Sequence, residues 1–100
     1  METTEIGFTP DNQAFSIVIA GVSYQMRAVW RGIFWALDVM DGSGALLIGG
    51  IPLIPGADLL EQYKYLKLGF SLFVICDVEG QEYPTQDDLG ISSHLYAVTE

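Results

Sequence analysis

The chain has very little positive charge. Four Lys and Arg stand against thirteen Asp and Glu in 100 residues, a formal net charge of −9 and an isoelectric point near 4.1. Arg27, Arg31, Lys64 and Lys67 make no basic stripe, so the surface would repel a phosphate backbone, and composition argues against nucleic-acid binding. Basic anchoring to a membrane surface fails for the same reason. A single cysteine, Cys76, excludes an intramolecular disulfide and a thiolate metal cluster, and the simplest compartment is a reducing cytoplasm. No apolar run approaches the ~18 residues of a membrane-spanning helix. The first residues, Met1-Glu2-Thr3-Thr4-Glu5, lack the positive charge of a secretory leader.

Apolar residues, in contrast, are plentiful. They make up 50% of the chain, and the mean hydropathy is +0.33. One hundred residues form a single domain over residues 1–100, with more apolar material than one small core hides. The surplus implies burial against a partner or a second copy.

Period-two alternation dominates the pattern. Residues 1–12 are polar and read as a loosely held N-terminal arm anchored by Ile6 and Phe8. Phe15, Ile17 and Ile19 alternate with Ser16, Val18 and Ala20 in a first strand, and Gly21 turns the chain. A second strand alternates Val22, Tyr24, Met26, Ala28 and Trp30 with Ser23, Gln25, Arg27 and Val29. A third runs over residues 34–39, and Asp41-Gly42-Ser43-Gly44 gives the strongest hairpin signal before a fourth over 45–51. Gly49-Gly50 suggests a bulge in that fourth strand. These four make a meander. Pro52 and Pro55 then exclude a central strand, and Asp58 is placed to cap a short helix over 58–66, although an extended reading of 63–66 stays open. Residues 70–77, apolar on both faces, read as a fifth and central strand, 77–92 as an acidic loop, and 94–99 as a sixth strand. The fold class is mainly all-β: a small antiparallel barrel or sandwich of about six strands with one short helical segment.

No catalytic set is visible, and the chain reads as a non-enzyme without cofactor or metal. The one histidine, His94, lies in a strand, and Cys76 sits in an apolar stretch that would keep its thiol inert. There is no nucleophile elbow, phosphate-binding loop or dinucleotide fingerprint. Asp77, Glu79, Glu82, Asp87 and Asp88 share one loop, but their spacing does not match an EF-hand, and the plain reading is a solvated acidic loop. Asp38 and Asp41 flank a hairpin and read as turn and edge residues.

The aromatic residues carry the remaining functional signal. Phe34 and Trp35 are adjacent, so in a strand they point to opposite faces. One ring then meets either a partner or a second small core beneath the N-terminal arm. Trp30, Trp35, Tyr63 and Tyr65 are the candidate partner-interface residues, since Trp and Tyr are frequent interface anchors.

An ordered set of segments gives these candidates a context: Asp11-Asn12-Gln13-Ala14-Phe15-Ser16-Ile17, Gly21-Val22-Ser23-Tyr24-Gln25-Met26-Arg27 and Trp35-Ala36-Leu37-Asp38-Val39. The set continues through residues 50–66, from Gly50-Ile51-Pro52-Leu53 to Tyr63-Lys64-Tyr65-Leu66, and ends with Asp88-Leu89-Gly90-Ile91 and His94-Leu95-Tyr96-Ala97 within 88–100. Together they resemble the phage baseplate plug family over nearly the whole chain. The departures are small: His94 stands where that family commonly has Arg, and Arg31 where it often has Asn. The resemblance implies a structural virion component of a contractile phage tail, a plug at the central baseplate hub that closes the end of the tail tube. Its implied partners are hub, spike and tail-tube proteins, with self-association open, and its implied location is the virion, with the bacterial host cytoplasm during assembly. The alternative from the residues is a stand-alone small β-barrel that binds a cation or small ligand through the acidic loop 77–88.

Overall fold

The computed structural model describes residues 2–56 and 58–99. Seven strands form two antiparallel sheets that are not closed into a barrel. The sandwich alternative is therefore the one adopted. Strands β2 (Gln13–Ile19), β3 (Val22–Trp30), β4 (Trp35–Asp41) and β5 (Leu46–Pro52) follow one another in a four-stranded meander. The other sheet has the order β1-β7-β6, from β1 (Glu2–Ile6), β7 (Ser93–Thr99) and β6 (Phe70–Cys76). A 3₁₀ helix, Glu61–Leu66, lies between the sheets' sequences.

The core is made from one row of each strand. Tyr24, Met26, Ala28, Trp35, Leu37, Val39, Ile48 and Ile51 from the meander meet Ile6, Phe70, Leu72, Val74, Leu95 and Ala97 from the other sheet. Tyr24 and Phe70 pack edge-to-face with centroids 5.3 Å apart, joining the two layers. Leu53, Leu60 and Leu89, from the connections, close the ends of the core.

Local chemistry explains the turns and the bulge. The two-residue connection Ala20-Gly21 has φ of 52° and 80°, the positive values that a tight hairpin requires. The Asp41 carboxylate accepts from the Ser43 and Ala45 amides and the Ser43 hydroxyl, which folds the next turn. In β5, Gly49 and Gly50 together face Asp38 of β4, because Leu37 pairs with Ile51 and Val39 with Ile48. The Gly50 amide, displaced from the ladder, donates to Asp38 Oδ1 at 2.8 Å, while Arg27 holds Oδ2 at 2.6 and 2.9 Å. Asp38 is therefore the acceptor that completes a bulge, rather than a turn or edge residue.

Three further sequence readings change. Residues 2–6 of the supposed arm form β1, paired along its length with β7 from Glu2 opposite Thr99 to Ile6 opposite Leu95. Only Ile6 of that strand is buried, which is why the segment reads as unstructured. Ile6 and Phe8 do serve as its buried anchors. Strand β6 lies at a sheet edge and β7 in the centre, the reverse of the expectation from β6's two apolar faces. The helical segment is 3₁₀ over 61–66, kinked at Tyr63 (φ −111°, ψ 17°) and ended by Lys67 in the left-handed region. Asp58 accepts from the Leu60 amide ahead of it.

Two substitutions test this backbone account. Gly90 has φ of 82°, and a Cβ there would lie 2.0 Å from the Phe8 carbonyl oxygen. Gly90→Ala is expected to destabilise the fold by roughly 2–4 kcal/mol in chemical denaturation. Ala20→Gly, which relieves a positive φ at an open position, is expected to be neutral or to stabilise by up to about 1 kcal/mol.

Candidate functional site

Because side chains alternate along a strand, every core row has an outer counterpart. On the three-stranded sheet that outer row is formed by Ser71, Phe73 and Ile75 of β6 with His94, Tyr96 and Val98 of β7. Phe73 lies opposite Tyr96, Ile75 opposite His94, and Ser71 opposite Val98. Phe73, Tyr96 and Val98 are half-buried and Ile75 is exposed. On the other side of β7 the same face continues into β1, with Thr3 opposite Val98 and Glu5 opposite Tyr96.

The row runs into a groove of about 410 Å³ between the 3₁₀ helix and the start of β6. Val98 and Ser71 belong to both, and Tyr63, Lys64, Lys67 and Phe70 form the rest of the wall that matters here. Lys64 lies 3.5 Å from Glu61 and 3.9 Å from Asp58. The groove thus gathers two of the chain's four basic residues.

The four aromatic candidates are not brought together. Trp35 is 1% exposed and is spent inside the core, where its indole N–H donates to the Thr85 carbonyl at 2.8 Å. It offers no surface to a partner, because β4 is buried on both faces through Asp38 and Val39. Trp30 packs edge-to-face on it at 5.6 Å and is half-buried beside a shallow cleft lined by Pro10, Asn12 and Gln86. Tyr63 stands in the groove, and Tyr65, 73% exposed, projects from the helix. Phe73, Ile75, Tyr96 and Val98 were missed by sequence reasoning. Their only signal is the two-sided apolar pattern of β6, which looks like a buried central strand until the strand order is known.

The polar groups form ties within the fold rather than a reactive centre. Asp88 accepts from the Thr85 amide, the Ser92 and Ser93 hydroxyls and the Gln81 amide group, and so organises the acidic loop from within. Burial pushes its carboxyl up, but these donors outweigh it and hold the pKa below the usual value. Asp38 is held down in the same way against its burial, by the Gly50 amide and Arg27. Among the described residues, no three His, Cys, Asp or Glu side chains converge to hold a metal ion. Cys76 is half-buried, with the Ser93 hydroxyl 3.4 Å from its sulfur.

His94 bridges two carboxylates, one on β1 and one just past the end of β6. Nδ1 lies 2.7 Å from Glu5 Oε2 of β1, and Nε2 lies 3.1 Å from Asp77 Oδ2, just beyond β6. A neutral imidazole has one N–H and can donate to only one of them, so the double bridge requires imidazolium. The Glu5 bond first, then Asp77, raises the His94 pKa above its ordinary 6.5. No serine or thiol stands within hydrogen-bond distance of the ring among the described residues, so the arrangement ties β1, β7 and β6 together without activating a nucleophile.

The structure is a two-sheet β domain whose histidine and part-buried carboxylates Asp38 and Asp88 are engaged in ties within the fold. The family model described as cyanophage baseplate Pam3 plug gp18 matches residues 1–100, and the chain belongs to that family. No curated protein matches it. Membership makes the chain a structural component of a phage tail baseplate, which works among other baseplate proteins in the virion.

The bridge has a pH signature. A raised folded pKa contributes stability that is fully present below about pH 6.5 and is lost as pH rises through the folded value. Denaturation curves measured from about pH 6 to about pH 9 are expected to show wild-type stability falling relative to His94→Gln, while His94→Arg, always charged, shows no such fall. A wild-type advantage that grows with pH over this window would contradict the bridge.

Proposed function

We propose that this chain is the plug at the centre of the baseplate hub and closes the end of the tail tube, docking through the outer row of its three-stranded sheet and the adjoining groove. The observation that carries the reading is the partly exposed apolar row of Phe73, Ile75, Tyr96 and Val98 on the outer face of a chain of the baseplate plug family. An apolar patch on a small domain marks a protein contact, and a rigid sheet presents it without a cost in ordering. Tyr63 extends the patch into the groove, and the exposed Tyr65 and half-buried Trp30 supply contacts at its margins. Trp35 supports Trp30 from within.

The partners in this reading are the hub, spike and tail-tube proteins, met after synthesis in the host cytoplasm. The net charge of −9 suits a closure. An acidic body at the end of a DNA channel repels the DNA rather than binding it. In this reading the role rests on shape and assembly.

Tails purified from virions should contain the chain together with hub and spike proteins by mass spectrometry. Phe73→Lys and Tyr96→Lys place a charge on the outer row without touching the core. Each should leave the melting temperature within a few degrees of wild type while lowering incorporation into tails about tenfold or more. Normal incorporation of both variants would remove the outer row from the interface, and absence of the wild-type chain from tails would remove the role itself.

A further inference from the structure

The two open sheets have four edge strands, and three of them are blunted by recognisable devices. Strand β1 carries Glu2 and Glu5, charges that oppose pairing with another strand. Strand β5 ends in Pro52 and is distorted by the bulge at Gly49 and Gly50. On β6 the chain itself occupies the edge: the Leu59 amide donates to the Leu72 carbonyl at 2.8 Å, and the Leu72 amide donates to Asp58 Oδ1 at 3.1 Å. Strand β2 has none of these. Gln13–Ile19 is seven residues long, without charge, proline, glycine or register shift.

Hairpin geometry shows which of its backbone groups are open. In a two-residue turn the flanking residues, Ile19 and Val22, form a hydrogen-bonded pair, and such pairs recur at every second position. Ile17, Phe15 and Gln13 therefore bond to Tyr24, Met26 and Ala28 in β3. The N–H and C=O groups of Ala14, Ser16 and Val18 point the other way, and no described residue donates to or accepts from them. Their side chains are exposed. On the inner side of the same edge, Phe15 and Ile17 remain half-buried at the border of the core.

We propose that the β2 edge is a strand-addition site, which takes an extended segment of another baseplate protein as a fifth strand of the meander. The inference rests on the baseplate role argued above and adds a second surface to it. The segment would alternate apolar residues, covering Phe15 and Ile17, with small or polar ones beside Ala14, Ser16 and Val18. Charge selects the source. A second copy would bring −9 against −9, whereas a neutral or basic segment of a different protein meets no such repulsion at an uncharged edge.

Hydrogen exchange by mass spectrometry on residues 13–19, in the purified chain and in assembled baseplates, tests this directly. The outward amides of Ala14, Ser16 and Val18 should exchange fast in the free chain and slowly in the assembly. Ser16→Pro removes an outward N–H without breaking the β3 ladder, and Val18→Lys, a second variant should the proline unfold the strand, puts a charge at the edge. Incorporation of either into tails should fall about tenfold while the free variant melts as wild type. Fast exchange in baseplates, or normal incorporation of a folded Ser16→Pro or Val18→Lys variant, overturns the inference and leaves the baseplate role standing. Protection already present in the purified chain at twice the monomer mass assigns the edge to a second copy and overturns the proposal. Absence of the wild-type chain from tails overturns both.

Discussion

Strand β7 pairs on both sides. Thr99 stands opposite Glu2 of β1 and opposite Phe70 of β6, so residues from the beginning, the last third and the end of the chain meet along one line. The three-stranded sheet exists only because of this pairing, and so does the outer row that β6 and β7 build together. The same strand carries His94, whose two carboxylate partners come from the two flanks. The inner row of β7, Leu95 and Ala97, is the part of that sheet that the meander buries. The outer apolar row, the polar tie and part of the core are thus consequences of where one seven-residue strand lies.

One core lies between the two sheets, and their outer faces differ in degree. On the four-stranded sheet Ser23, Gln25 and Arg27 of β3 lie on the outer face beside the exposed Val18 and Leu46. On the three-stranded sheet Phe73, Ile75, Tyr96 and Val98 share the outer face with Thr3, Glu5, Ser71 and His94. The apolar residues of that second face are contiguous across β6 and β7, which is the feature the proposed contact uses.

The meander was legible because its information is local. Alternation in β2 and β3, the glycine at position 21 and the Asp41-Gly42-Ser43-Gly44 turn each specify structure within a few residues, and the register of β3 on β2 follows from the turn. The other sheet was not legible, because its pairings join residues 17 to 29 positions apart between β6 and β7 and 89 to 97 apart between β1 and β7, and leave no local mark. Hence β1 reads as an arm and the edge strand β6 reads as central. Among the candidate anchors, Trp35 was misplaced for a physical reason: β4 begins at Trp35 itself, so Phe34 lies outside the strand and the adjacent pair does not straddle the sheet. Tyr63 and Tyr65 sit on the short helix, where exposure depends on what packs against it. His94 reads in the sequence as a plain strand residue, and its bridge to Glu5 and Asp77 could not be foreseen, because those partners lie 89 and 17 positions away.

The central claim is that the outer row of the three-stranded sheet is a buried contact in the assembled tail. Hydroxyl-radical footprinting of Phe73 and Tyr96, in the free chain and in purified tails, measures it at the residues concerned. The account predicts that both rings are oxidised readily in the free chain and are protected in the tail, with the solvent-exposed loop residue Tyr83 as an internal reference. Equal oxidation of Phe73 and Tyr96 in the two states would contradict it.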